Sequence, residues 1–236
     1  MTNPIILALD VDSTEKAKAL ANELKEYVGL YKIGKELFTA EGPSVVREVI
    51  DAGGKVFLDL KYHDIPNTTA KASEAATALG VTMFNVHASG GSEMMKAAAE
   101  AAKEKAESLG IKKPIVLAVT VLTSIDQETL NKELRVEGSV EEQVVHLAKL
   151  AKESGIDGVV CSPQEAKPIR EACGEEFVIV TPGVRPAWAV TGDQKRITTP
   201  KQAIENGSNY LVIGRPIAAA ENKTEAAKKI LKELGV

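Results

Sequence analysis

The ten residues Asp59-Leu60-Lys61-Tyr62-His63-Asp64-Ile65-Pro66-Asn67-Thr68 put two carboxylates and an ammonium at the end of an apolar run, Lys55-Val56-Phe57-Leu58. If that run is a strand, Asp59 and Lys61 point the same way and Leu60 the other. Asp64 follows on the turn. A lysine between two carboxylates stays protonated near neutrality, because opposite charges favour its charged form. Such a group is a poor base or nucleophile but a good fixed cation or proton donor, so the chemistry it suits is one that develops negative charge beside Lys61. A structural ion pair is the plain alternative. Three charges packed at one strand end favour function.

Other residues join this cluster by position. Lys32 ends the run Tyr31-Lys32-Ile33-Gly34 and, beside Asp59, would complete an alternating Lys–Asp–Lys–Asp array. Asp10 closes the first apolar run, where it could accept hydrogen bonds from a sugar hydroxyl or simply turn the chain. Near the end, Ile213-Gly214-Arg215-Pro216 offers a glycine, an arginine fork and a helix start, a combination suited to phosphate. Arg185, in Pro182-Gly183-Val184-Arg185-Pro186, could grip the same anion. Gln194 lies on the long connection from Arg185 to Pro200, a lid candidate. Thr123 and Ser124 end another apolar run with hydroxyls that could meet a ring carbonyl, although such residues more often cap or turn. His63, His87 and His146 show no metal-ligand spacing. His63 is expected to act locally, His87 to make a structural hydrogen bond and His146 to be a surface or packing residue. Trp188 reads as packing for the lid.

These residues need a scaffold that gathers strand ends. Apolar β-rich runs at 5–11, 31–37, 55–61, 83–89, 114–121, 158–162, 178–184 and 210–215 alternate with helix-period stretches at 14–28, 43–52, 66–79, 91–109, 139–154, 164–172, 200–206 and 222–234. Ser13 and Pro66 are start signals; Gly80, Gly110 and Gly155 are stop signals. Eight strand–helix units in 236 residues predict an α/β protein with the (β/α)8 barrel fold, a single domain spanning 1–236. An open doubly wound sheet would alternate similarly, but no Gly-x-Gly-x-x-Gly follows the first strand. The polar residues cluster at strand carboxyl ends, as one barrel mouth requires.

Composition narrows the function classes. Hydrophobic content of 44% and charged content of 26% are ordinary for a globular chain, and a net charge of −4 with mixed signs argues against a nucleic-acid partner. No apolar run approaches the ~20 residues of a membrane span. The amino terminus lacks the basic region of a signal peptide. Cys161 and Cys173 fall in no metal-like spacing and read as reduced thiols of a cytoplasmic protein.

The ordered segments Leu7-Ala8-Leu9-Asp10, Lys32-Ile33-Gly34, Asp59 to Thr68, Val119 to Ser124, Thr181 to Arg185, Gly192 to Arg196 and Ile213 to Pro216 closely resemble the orotidine 5'-phosphate decarboxylase family over nearly the whole chain. The ten-residue signature is the specific part. That resemblance implies cofactor-independent decarboxylation of orotidine 5'-monophosphate (OMP) to UMP, the last step of de novo pyrimidine synthesis, with neither metal nor organic cofactor. Lys61 would protonate C6, Asp59 would lie against the substrate carboxylate, and Lys32 and Asp64 would complete the network. Asp64, Ile65 and Thr68 would reach the neighbouring subunit's site in a homodimer. Asp10 and Lys32 would contact the ribose, Thr123 and Ser124 the base region, and Arg185, Gln194, Gly214 and Arg215 the phosphate, with Pro182 also against the substrate. Two other readings compete. One is a metal-dependent sugar-phosphate decarboxylase or aldolase, which shares the Asp-x-Lys-x-x-Asp pattern. The other is an idle barrel that only binds a nucleotide, which would be free to lose Lys61 or Asp59.

Overall fold

Strands that are apolar on both faces need cover on both sides, and each strand here is followed by helix that provides it. A computed structural model describes residues 3–189 and 198–236. In chain order the elements are β1 (Ile5–Ala8), α1 (Thr14–Leu24), β2 (Leu30–Gly34), α2 (Lys35–Glu41), α3 (Ser44–Asp51), β3 (Val56–Tyr62), α4 (Pro66–Ala78), β4 (Met83–His87), α5 (Gly91–Leu109), β5 (Ile115–Val119), α6 (Val140–Glu153), β6 (Gly158–Val160), α7 (Ala166–Cys173), β7 (Val178–Pro182), α8 (Pro200–Glu205), β8 (Tyr210–Ile213), α9 (Arg215–Ala218) and α10 (Lys223–Leu234). The strands pair in parallel with their sequence neighbours, and β8 returns to β1, closing the barrel.

The period of two along each strand divides the core. Ile5, Leu7, Leu58, Phe84 and Ile213 face outward into a large cluster with the helices. Ile6, Ala8, Leu30, Phe57, Met83, Val180 and Val212 fill the barrel interior as a second cluster. Continuing each interior series by two residues toward the carboxyl end replaces hydrocarbon with function: Leu30 leads to Lys32, Phe57 to Asp59, Met83 to Asn85 and Val212 to Gly214. Packing therefore stops where polarity starts, which floors the site with a dry, close-packed layer.

Local chemistry sets the helix ends. Ser13 accepts from the Lys16 N–H at 3.4 Å, Ser139 forms a capping box with Glu142, and Pro66 and Pro200 occupy first-turn positions that need no N–H donor. Gly80, Gly110 and Gly155 take positive φ just past α4, α5 and α6, as the stop signals predict.

Three of the boundaries that differ from the sequence reading bear on the site. β1 ends at Ala8, leaving Asp10 on the loop above it. β2 stops at Gly34, the N-cap of α2, so 35–37 are helical rather than extended. β3 continues through Tyr62. The short helices α2 and α9 and a π turn at Thr129–Glu133 are additions. None is long enough for hydrophobic period to announce it.

Candidate active site

β2 and β3 are adjacent, with Lys32 opposite Phe57 and Gly34 opposite Asp59. That register brings the ammonium of Lys32 within 3.6 Å of Asp59 Oδ2, while Lys61 Nζ lies 2.6 Å from Asp59 Oδ1. Lys32 also reaches Asp10 Oδ1 at 3.4 Å across the β1–β2 pair. Four charges therefore alternate as Asp10–Lys32–Asp59–Lys61. The inner pair is well shielded: the side chains of Lys32 and Asp59 are each 13% exposed, and Asp10 is 66% exposed at the rim.

Asp64 stands apart from this array. It lies beyond β3 on an exposed turn, where its carboxylate accepts the Ile65 N–H at 2.7 Å. Among the described residues Asp64 makes no contact with Lys61, although the sequence set the two close together; β3 has ended, and the turn carries Asp64 outward. Residues 63–68 are exposed throughout, and Ile65, an apolar side chain, is 66% exposed.

A cavity of about 210 Å³ opens over Lys32, Asp59 and Lys61, with Thr123 and Pro182 on its walls and Phe57 and Val212 beneath. A neighbouring groove of about 460 Å³ is shared by Asp10, Gly214 and Arg215. β8 lies beside β1, and a Cβ added to Gly214 would sit 3.6 Å from Asp10 Oδ2. Arg215 opens α9 and is exposed. Gly183, at φ 76°, turns the chain after β7, and the Arg185 N–H donates to Thr198 O at 3.1 Å, drawing the two ends of that connection together. Gln194 lies outside the described residues. Thr123 and Ser124 are exposed at the mouth, whereas Thr120 is buried and its hydroxyl donates to Val160 O at 3.2 Å. Thr68 is exposed on the first turn of α4.

The structure adds a residue that the sequence reading missed. Asn85, fully buried on β4, accepts the Lys61 N–H at 2.8 Å and donates to Asp59 Oδ1 at 2.7 Å. The available signal was a polar residue at an interior position of the otherwise apolar run Met83-Phe84-Asn85-Val86.

Burial shifts several titratable groups near the mouth, His87 and Glu165 among them. His87 is pushed down to about 4 by desolvation, with His63, Lys61 and Lys35 adding to the shift and Asp59 opposing it. Its ring lies 5.4 Å from that of His63, so its structural role is a ring contact. Trp188 likewise has a specific partner, the Lys229 ammonium 5.7 Å from its ring centroid.

Glu165 follows β6 and is pushed up to about 7 by burial, although it accepts the Ser162 N–H at 2.9 Å. Between an unfolded value near 4.5 and a folded value near 7, only the folded state holds the proton. Stability therefore falls as pH rises through that window. Glu165→Gln keeps an acceptor for Ser162 and removes the cost of ionising a buried acid. It is expected to gain roughly 1–2 kcal/mol on the parent at pH 8, about 3–6 °C in melting temperature, and to lose that gain by pH 4.5. Melting curves at both pH values test this; an offset that does not change with pH would refute it.

Comparison with known proteins fits this geometry. The model of the orotidine 5'-phosphate decarboxylase / HUMPS family matches residues 3–230. Orotidine 5'-phosphate decarboxylase of Syntrophomonas wolfei is 56% identical over 231 residues, covering 98% of this chain and 97% of that one. The enzyme of the same name from Moorella thermoacetica is 54% identical over 230 residues, covering 98% and 91%. Among solved structures, orotidine 5'-phosphate decarboxylase from Lactobacillus acidophilus superimposes with a TM-score of 0.88 at 42% identity, covering 99% of this chain and 100% of that one. A barrel mouth carrying an alternating charge array, with a family match over almost its full length, leaves one assignment: this chain belongs to the orotidine 5'-phosphate decarboxylase / HUMPS family.

Proposed function

We propose that this chain decarboxylates OMP to UMP without a metal or organic cofactor, with Lys61 as the proton donor. The observation that carries the reading is the Lys61 ammonium, 2.6 Å from Asp59 and facing a cavity whose deep wall is hydrocarbon. In the proposed step the C6–carboxylate bond breaks, carbon dioxide leaves, and the electron pair stays on C6. A Lys61 N–H proton is transferred to C6, and the neutral amine regains a proton from solvent. Asp59 holds the ammonium and faces the substrate carboxylate, while Lys32 spans Asp59 and the ribose side at Asp10. Arg215, Gly214 and Arg185 are assigned to the phosphate, together with Gln194, and Thr123, Ser124 and Pro182 to the base. Binding energy from the remote phosphate can then be spent on the reacting carbon.

We further propose a homodimer in which Asp64, Ile65 and Thr68 complete the partner's site. Support comes from the exposed run 63–68, from the apolar Ile65 at its centre and from the absence of Asp64 from its own chain's array. The free, buried thiols of Cys161 and Cys173 suit a cytoplasmic enzyme.

A metal-dependent sugar-phosphate reaction fits the donor set poorly. The Asp59 carboxylate already accepts Lys61 and Asn85 and pairs with Lys32, so a cation there would have to displace ammonium groups. The test is the ultraviolet absorbance of OMP incubated with purified protein in excess EDTA. The expected result is loss of the substrate band with UMP as product. No change in EDTA, with turnover of a sugar phosphate once magnesium is added, would overturn the proposal.

A further inference from the structure

Asn85 lies opposite an irregularity in the barrel wall. β3 and β4 pair at Leu58 with Phe84 and again at Tyr62 with Val86. Between those points Asp59, Leu60 and Lys61 face a single residue, Asn85. A bulge of this kind lets the wider strand re-aim its side chains and leaves ladder groups without partners. Lys61 sits within it at φ 55°, a left-handed conformation that few side chains adopt without support.

We infer that Asn85 is a positioning residue for the Asp59–Lys61 pair, a role that rests on the decarboxylase reading above. A backbone N–H can only donate, so the amide oxygen of Asn85 must face Lys61 and the amide nitrogen must face Asp59. The oxygen accepts the Lys61 N–H at 2.8 Å, and the nitrogen donates to Asp59 Oδ1 at 2.7 Å, the same oxygen that receives Lys61 Nζ at 2.6 Å. One buried amide thus holds the bulged backbone of Lys61 and orients the carboxylate that aims its ammonium. Met83 lies below Asn85 in the interior layer and His87 above it. The charged and titratable groups around it are Asp59 and Lys61 on β3, Lys32 on β2, His87 on its own strand, and His63 and Lys35 beyond His87.

A residue that only filled the bulge would be replaceable by any side chain that preserves the fold. A positioning residue would not. Asn85→Ala is expected to lower kcat for OMP by about 10²-fold, the usual effect of misplacing a reacting group, and to leave UMP affinity within about threefold. Asn85→Asp is nearly isosteric and gives a sharper readout. When protonated, its O–H can replace the amide donor to Asp59 while its other oxygen keeps the Lys61 N–H. When ionised, it places a second negative charge against Asp59. The kcat of Asn85→Asp, relative to wild type in the same buffers, is therefore expected to rise as pH falls from 8 to 5. Folding of both variants is checked by thermal melting; Asn85→Asp carries the test if Asn85→Ala fails to fold.

A flat ratio of Asn85→Asp to wild-type kcat across that pH range, or an Asn85→Ala enzyme within threefold of wild type, would overturn the inference. Wild-type protein that leaves OMP unchanged would instead overturn the decarboxylase reading on which it stands.

Discussion

Lys61→Ala is expected to lower kcat for OMP by about 10⁵-fold while UMP affinity stays within about tenfold. Decarboxylation leaves an electron pair on C6 with no conventional sink, so stabilisation must come from the protein. A unit charge ~4 Å away at an effective dielectric of 20 contributes about 4 kcal/mol, roughly a thousandfold in rate. Proton donation by a positioned acid adds about 10²–10⁴-fold. In the proposed step Lys61 supplies both, with its ammonium held by Asp59 and its backbone held by Asn85. Gly214 and Arg215, two of the groups assigned to phosphate, line the neighbouring groove, so ground-state affinity should largely survive. Alanine takes the same left-handed backbone as lysine at comparable cost, and the fold is expected to persist. Single-turnover assays with OMP and calorimetry with UMP measure the two quantities. A variant retaining a tenth of wild-type kcat would remove Lys61 from its proposed role.

The second large effect concerns stability and lies at the opposite end of the barrel. On α7, Arg170 directs one terminal nitrogen to the carbonyl oxygens of Gly174, Glu175 and Phe177 and the other to Gly207 O and Asn209 Oδ1. Its side chain is 11% exposed. Asn209 Oδ1 also accepts the Ile179 N–H at 2.8 Å, so one guanidinium ties α7 to the start of β7 and to the turn before β8. Arg170→Met preserves much of the stem but leaves several carbonyls without their donor. The expected loss is about 2–3 kcal/mol, because the part-buried carbonyls of Phe177 and Gly207 lose a charged donor, while the acceptors on Gly174, Glu175 and Asn209 are exposed and can turn to water. In a chain of this size that is roughly 6 °C in melting temperature. Turnover of OMP well below the transition should remain within about threefold, since barrel chemistry resides at the carboxyl ends of the strands. Melting curves and assays at low temperature separate the two effects. A drop of under 2 °C would mean that water replaces the guanidinium at these carbonyls.

The contrast between Lys61 and Arg170 reflects what a sequence can express. Arg170 drew no attention in the linear chain: its five acceptors lie 4 to 39 residues away, and no pattern announces carbonyl oxygens. Asn85 was hidden for a related reason. Its importance depends on a register shift between two strands, and register is a property of the pair. The spacing of Asp64 from Lys61 measures distance along the backbone only, and the turn after β3 directs its carboxylate outward. The boundaries of β1 and β2 erred at the mouth, where polar residues interrupt the alternation used to trace the strands.

By itself the sequence determined the barrel, because eight apolar runs covered by eight helical stretches have few other ways to bury both faces of every strand. It also determined which residues reach the mouth, because a period of two carries Phe57 to Asp59 and Leu30 to Lys32 wherever those strands lie. The tertiary structure alone decided how those residues meet. The β2–β3 register set Lys32 against Asp59, the β3–β4 bulge raised Lys61 over the cavity, and Asn85 held both sides of the bulge. Those are distances between strands, and they exist only once loop closure has been offset by packing of the whole core.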